Sequence, residues 1–205
     1  MRATRSLSIT DFPKRHDDWT YSAHLYFREH HIETTFLEKI DNVYPTDRGI
    51  CYLLDGELCY QERVTDTVSF PARFYAPPGA PIGNCVFAPR RGGAWVDPLY
   101  RSLVILTEGT TDALAVAQHG IHAIALMGAR PGVERMGVLR HLVAGRTPVL
   151  IPDNDTPGLE LAHRLRSFNI GVRMLPRHVK DICDLNRMDQ SDFLHTIWEK
   201  LTHRC

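Results

Sequence analysis

The chain has 205 residues, enough for a substantial buried core, and its 43% hydrophobic and 23% charged residues are ordinary for a folded, water-exposed protein. Lys and Arg (24) balance Asp and Glu (24), so the formal net charge is zero and no whole-chain basic field announces a nucleic-acid partner, although a local one stays open. No apolar run reaches the roughly 18 residues of a membrane helix, and Met1-Arg-Ala-Thr-Arg-Ser-Leu-Ser8 lacks the apolar stretch of a signal peptide, so no membrane contact and a cytoplasmic location are expected.

Residues 1–20 are polar and mixed in charge and read as an N-terminal arm. Ala23, Tyr26 and Phe27 then recur at helical spacing. A second short helix is expected over 36–40, with Thr34 or Thr35 as its cap and Glu38 three residues beyond Thr35. His30-His31 lies in this polar stretch and reads as surface, not as a ligand pair. From Asp41 the pattern shortens to strands. Residues 49–54 and 58–64 flank Asp55-Gly56, a dipeptide that signals a hairpin. The proline-rich stretch 69–81 reads as an extended edge or loop path, 84–88 as one more strand, and Arg90-Arg-Gly-Gly93 as a turn. No acidic residue falls between Thr67 and Val96, whereas Arg73, Arg90 and Arg91 do, beside Phe74, Tyr75 and Trp95. Such a stretch can be a solvated edge, or it can follow a single nucleic-acid strand by phosphate contacts and stacking.

From Ser102 strands and helices alternate. Strands are expected over 103–107, 122–127, 147–152 and 170–175, and helices over 111–119, 133–143 and 157–167. A last helix over 191–202 would have Phe193, Leu194, Ile197, Trp198 and Leu201 on one apolar face. Runs such as Leu103-Val-Ile-Leu and Pro148-Val-Leu-Ile151 are apolar at consecutive positions, as in strands buried on both faces. The order predicts an α/β fold, a parallel sheet with helices on both faces. A smaller mixed α+β subdomain over 21–100 precedes it, and the sheet domain occupies 101–205.

Ligands of such sheets bind beyond the carboxyl ends of the strands. Glu108 follows the first strand, Asp153 and Asp155 the third, and Asp181 the fourth, so these acids should share one edge; Asp112 stands four residues past Glu108. Helix capping explains each acid singly. Together, clustered carboxylates repel unless a cation joins them, and oxygen donors of this kind suit Mg²⁺ or Mn²⁺. The five cysteines (Cys51, Cys59, Cys85, Cys183, Cys205) are odd in number and scattered without a Cys-x-x-Cys pair, so neither a disulfide framework nor zinc is expected.

Glu108-Gly-x-x-Asp112-Ala-Leu after an apolar strand, Ala125-Leu-Met-Gly-Ala129, and Asp153-x-Asp155-x-x-Gly158 before a Leu/Ala-rich helix together resemble the Toprim domain. That domain is shared by bacterial-type primases, topoisomerases, small nucleases and recombination mediators. Lys180-Asp181-Ile-Cys-Asp184 resembles the Lys-Asp-x-Asn-acid element of phage and plasmid primases, with Cys183 where Asn or Asp is usual. Ala23-His-Leu-Tyr-Phe-Arg-Glu-His-His-Ile32 is similar to the Tyr-Leu-x-x-Arg-x-Ile segment of their polymerase core. Arg73-Phe-Tyr-Ala-Pro-Pro-Gly79 is similar to the segment that sets a basic residue beside the template groove.

The resemblance implies a DNA primase, a nucleotidyltransferase that makes short RNA primers on single-stranded DNA from ribonucleoside triphosphates. Its metal set would be Glu108, Asp112, Asp153, Asp155, Asp181 and Asp184, with Glu108, Asp153 and Asp155 catalytic. Glu108 is either a ligand or the general base, and Asp112 belongs to the metal's periphery. Gly109 and Gly158 would let phosphate approach the backbone. Arg63, Arg73, Arg90 and Lys180 would contact template or nucleotide phosphate. A replicative helicase or a separate zinc-bearing protein for template recognition would be the partner, since the chain holds neither a Cys-rich module nor a P-loop. The rivals are a Toprim nuclease using the same acids and a non-catalytic protein that binds DNA or a replication partner.

Overall fold

The computed structural model describes residues 7–65, 73–92, 94–95, 102–168, 170–187, 193, 195–197 and 199. In chain order the elements are α1 (Tyr21–Glu29), α2 (Thr34–Leu37), β1 (Val43–Thr46), β2 (Gly49–Leu53), β3 (Tyr60–Val64), β4 (Phe74–Tyr75), β5 (Arg90–Arg91) and β6 (Ala94–Trp95). The second half adds β7 (Leu103–Thr107), α3 (Thr110–Ala117), β8 (His122–Ala125), α4 (Val133–Leu142), β9 (Thr147–Leu150), α5 (Thr156–Arg166), β10 (Gly171–Val172) and α6 (Ile182–Asn186).

β7, β8, β9 and β10 form one parallel sheet in the order β10-β9-β7-β8. Alternation along β7 shows why helices cover both faces. Val104 and Leu106 pack with Met136 and Leu139 of α4 and Leu161, Ala162 and Leu165 of α5. Ile105, between them, points the other way, into the cluster that holds Ala113–Val116 of α3 and Ile182 and Leu185 of α6. The sheet is therefore α/β with helices on both sides.

β1–β4 form an antiparallel sheet in sequential order. Residues 86–88 join it to the parallel sheet. Val86 exchanges backbone hydrogen bonds with Asp55 at 2.8 and 3.0 Å, and Phe87 exchanges them with Ala125 of β8 at 3.0 and 2.8 Å. Phe87 is fully buried and its ring meets Tyr52 edge-on at 5.3 Å. Phe27, Ile50, Tyr52, Phe87, Ile105 and Ala125 belong to one apolar cluster, so the two halves share a core. Burial of Phe87 at this seam contributes about 2–3 kcal/mol.

The hairpin expected around Asp55-Gly56 does form, with β2 and β3 paired up to Leu53 opposite Tyr60, and the Asp55 backbone within its loop bonds Val86. Several other local expectations are corrected. The cap of α2 is Glu33, without a side-chain bond, whereas Thr20 caps α1 by accepting from the Ala23 N–H. β8 stops at Ala125, and Met127 beyond it has a φ of 58°. β10 is two residues long, and Arg90–Arg91 pairs with Ala94–Trp95 as a small hairpin. From residue 7 the lead-in packs against the rest: Leu7 is buried, Phe12 lies 5.0 Å from the Tyr60 ring and Trp19 5.1 Å from Phe27. His30 bonds the Tyr26 carbonyl through Nδ1 at 2.7 Å and His31 takes a φ of 52°, so this pair closes α1.

Of the expected final helix, Phe193, His195–Ile197 and Glu199 are helical, with Phe193 and Ile197 buried. Leu194, Trp198 and Leu201 lie outside the described residues, as do 66–72, which include the start of the proline-rich path, and Val96. Cys51, Cys59, Cys85 and Cys183 are free and buried. No described helix is long and apolar enough to cross a membrane.

Candidate active site

The carboxyl ends of β7, β9 and β10 supply the acids. Glu108 directly follows β7, and its Oε1 accepts the Asp153 N–H at 3.2 Å, which ties the first strand end to the third. Asp155 is the N-cap of α5 and accepts from the Gly158 N–H at 2.9 Å, with Pro157 in the helix's first turn. Asp181 caps α6 in the same way, accepting from the Asp184 N–H at 2.8 Å. Each cap uses one carboxylate oxygen, Oδ1, for the backbone bond. Asp112, in the first turn of α3, accepts the Cys183 N–H at 3.1 Å and so bridges α3 to α6.

Two glycines lie in close approach to the acids, and at Gly158 the contact is with backbone. A Cβ on Gly158 would lie 2.2 Å from the Asp153 carbonyl oxygen and 2.7 Å from Glu108 Oε1, and one on Gly109 would lie 2.7 Å from Asp112 Oδ2. Their role here is to let the acids close on the backbone.

Asn154 is a residue whose part the sequence reading missed. Its side-chain amide donates to the carbonyls of Pro176 and Val179 at 2.9 and 2.6 Å and reaches that of Leu175 at 3.4 Å, while its backbone N–H donates to Lys180 O at 2.7 Å. The residue between the two aspartates thus fastens the segment that delivers Asp181. In an Asp-x-Asp pattern the middle position reads as a spacer, and nothing in the sequence marks it as a clamp. Arg135 is a second such residue. It is buried and donates to the carbonyls of Leu126, Met127 and Ile82 at 2.6, 3.1 and 2.7 Å, fixing the left-handed turn at Met127.

Glu108, Asp112 and Asp153 face a cleft of about 340 Å³, lined also by Gly109, Thr110, Met127 and Gly128 on their side and by Gln61 of β3 and Phe74 of β4 on the other. Burial, and after it the charges of Asp112, Glu108, Asp181 and Asp155, push the Asp153 carboxyl up to about 8. Burial and then Asp181 raise Asp112 to about 6, and burial raises Glu108. These are carboxylates held together against their repulsion, a condition that a divalent cation relieves. Asp112, Asp181 and Cys183 bring one ligand atom each within 4.8 Å of one another. Burial holds the Cys183 thiol well above its ordinary range, so it keeps its proton. The donors left are carboxylate oxygens, which fit Mg²⁺ or Mn²⁺.

The remaining expected residues are placed as follows. Asp184 pairs with Arg187 at 2.7 Å. Lys180 is exposed, with Nζ 3.7 Å from Asp181 Oδ2. Arg73 is exposed at the start of β4. Arg90 is ion-paired with Asp55, and Arg63 lies 4.9 Å from both the Tyr26 and the Phe74 rings.

Residues 105–188, which carry every one of these acids, match a family model described as Toprim-like. This stretch is a Toprim-like domain. No curated protein matches the chain. Among solved structures, it is similar to the crystal structure of the RNA polymerase domain of Mycobacterium tuberculosis primase DnaG. The TM-score is 0.52 at 18% identity, over 90% of this chain and 67% of that one. At that identity the likeness is one of fold. The Toprim-like domain and the antiparallel sheet before it together form a core with the fold of a primase polymerase domain.

Proposed function

We propose that the chain is the catalytic core of a DNA primase, joining ribonucleotides into short primers on a single-stranded DNA template with Mg²⁺. The observation that carries this reading is the cleft, in which Glu108, Asp112 and Asp153 of the Toprim-like domain face Gln61 and Phe74 of the antiparallel sheet. A primer-making site needs acids on one wall and a second wall to hold a template against them, and a primase polymerase domain is the fold to which the chain is similar.

In this reading Asp153, Asp155 and Asp181 would hold the metal, the last two through the carboxylate oxygen not used in capping. When bound, a divalent cation lowers the pKa of the attacking 3′-hydroxyl and offsets charge on the departing pyrophosphate. Glu108, with Oε1 engaged by the Asp153 N–H, keeps its second oxygen for a ligand or a proton, and its raised pKa suits proton acceptance from the hydroxyl. Asp112 orients the α6 end through the Cys183 N–H. Lys180, beside Asp181, and exposed Arg73, next to Phe74 in the chain, are the contacts for template or triphosphate.

Ribonucleoside triphosphates, Mg²⁺ and an unprimed single strand, incubated with the purified chain, test the reading. Short ribonucleotide products over an intact template are expected. Loss of template in place of product would make the chain a nuclease, and neither outcome would make it a binding protein.

A further inference from the structure

One wall of the cleft has no part in the chemistry above. Side chains alternate along a strand, and β3 pairs with β4 so that Arg63 stands opposite Phe74 and Glu62 opposite Tyr75. Gln61, Arg63 and Phe74 therefore share one face, while Tyr60, Glu62 and Val64 are buried on the other. Gln61 and Phe74 line the cleft across from Glu108 and Asp153.

Phe74 is 47% exposed there, although a large apolar ring is ordinarily drawn inward. It does not sit loosely. The Arg63 guanidinium carbon lies 4.9 Å from the Phe74 ring centre and 4.9 Å from that of Tyr26, so the cation is held between two rings. Arg63 Nε is buried with no hydrogen-bond partner, which leaves stacking to account for the position of the guanidinium. Tyr26 anchors the stack to the Toprim-like domain: its hydroxyl shares a hydrogen bond with Thr111 Oγ1 at 2.6 Å, at the start of α3. A presented ring, fixed from behind and set across the cleft from clustered carboxylates, suits a flat aromatic ligand carrying phosphate on its far side. That is a nucleotide.

We infer that Phe74, backed by Arg63 and Tyr26, is the stacking platform for one nucleobase held in the cleft, with Gln61 as the hydrogen-bonding group beside it. Arg63 is then a positioning residue for the ring and not a phosphate contact. The inference rests on the proposed function only for the class of ligand. The base comes either from the template strand or from an incoming nucleotide, and both present the same aromatic face.

The test titrates the full chain, wild type against Phe74→Ala and Phe74→Trp, with Ca²⁺ in place of Mg²⁺. The probes are a labelled single-stranded thymidine oligonucleotide, the same backbone with abasic sites, and ATP. Removal of a base-stacking ring weakens binding roughly 5- to 100-fold. Phe74→Ala should lose affinity by that factor for the oligonucleotide, for ATP or for both, and so identify the source of the base. Phe74→Trp should restore affinity to within about threefold, since its ring stacks equally well. The abasic strand should bind wild type and Phe74→Ala alike, whereas a merely structural role would weaken all probes together. Equal affinity of Phe74→Ala and wild type for both base-bearing probes, or an equal loss on the abasic strand, would overturn the inference. Binding is read without synthesis, so the two readings fail separately. Primer synthesis without a Phe74 effect sinks the platform alone, and a Phe74 effect without primers sinks the primase alone.

Discussion

Gly158→Ala is the smallest change that should separate the fold from its site. Gly158 occupies the third position of α5, and an added Cβ would stand 2.2 Å from the Asp153 carbonyl oxygen, 3.0 Å from its carbonyl carbon and 2.7 Å from Glu108 Oε1. Non-bonded contacts settle at about 3.5 Å, so the start of α5 and the Asp153 loop must part by roughly 1 Å. Overpacking of this kind costs about 1–3 kcal/mol. Alanine's better helix propensity returns about 1 kcal/mol, leaving a net loss of about 0–2 kcal/mol. For a chain of this length that lowers Tm by at most about 8 °C. The separation falls on Asp153, Asp155 and Glu108, and a misplacement near 1 Å lowers a catalytic rate by roughly 100-fold. Thermal melting should show a folded variant, while calorimetric Mg²⁺ titration and primer synthesis show the site broken. Gly137 in α4 is the control: a Cβ there meets nothing within 4 Å, so Gly137→Ala should gain up to about 1 kcal/mol and keep full activity. Wild-type Mg²⁺ affinity and activity in Gly158→Ala would refute the reasoning.

Asn154→Ala removes the donor that holds the Pro176 and Val179 carbonyls. It should lower stability by about 1–3 kcal/mol and weaken Mg²⁺ binding by loosening the segment before Asp181; unchanged Mg²⁺ affinity would detach Asp181 from the metal set. The raised carboxyls predict a pH dependence. Asp153, at about 8, keeps its proton in the folded chain well above the ordinary value of roughly 3.9 that holds when unfolded. Folding thus takes up a proton between those limits, and stability falls as pH rises through that window. The metal-free chain should melt lower at about pH 8.5 than at about pH 7, and Mg²⁺ should raise Tm more at the higher pH, where its ligands are ionised. An opposite trend in Tm measured with chelator present would contradict the cluster.

The parallel sheet was legible because consecutive apolar residues leave few alternatives: Leu103-Val-Ile-Leu must bury side chains on both faces, and Ile105 and Leu106 do so. The shared edge of the acids followed from strand direction alone. Elements whose shape depends on distant partners were not legible. The Asp55-Gly56 hairpin was legible but not the bond of the Asp55 backbone to Val86, and β10 ends after two residues, before the segment held by Asn154. Arg63 and Arg90 read as candidates for template or nucleotide-phosphate contact, and their neighbours in the fold were not legible. The structure pairs Arg90 with Asp55 and stacks Arg63 between rings, contacts made across 35 residues or between strands that no local pattern encodes.

The most direct measurement is incorporation of labelled ribonucleotide on an unprimed single strand by the wild-type chain and by Asp153→Ala, with the melting of both followed in parallel. Primer synthesis by the wild type is expected, with its loss in a variant that still melts cooperatively. Undiminished synthesis in Asp153→Ala, or degradation of the template by the wild type, would contradict the assignment of these acids to primer formation.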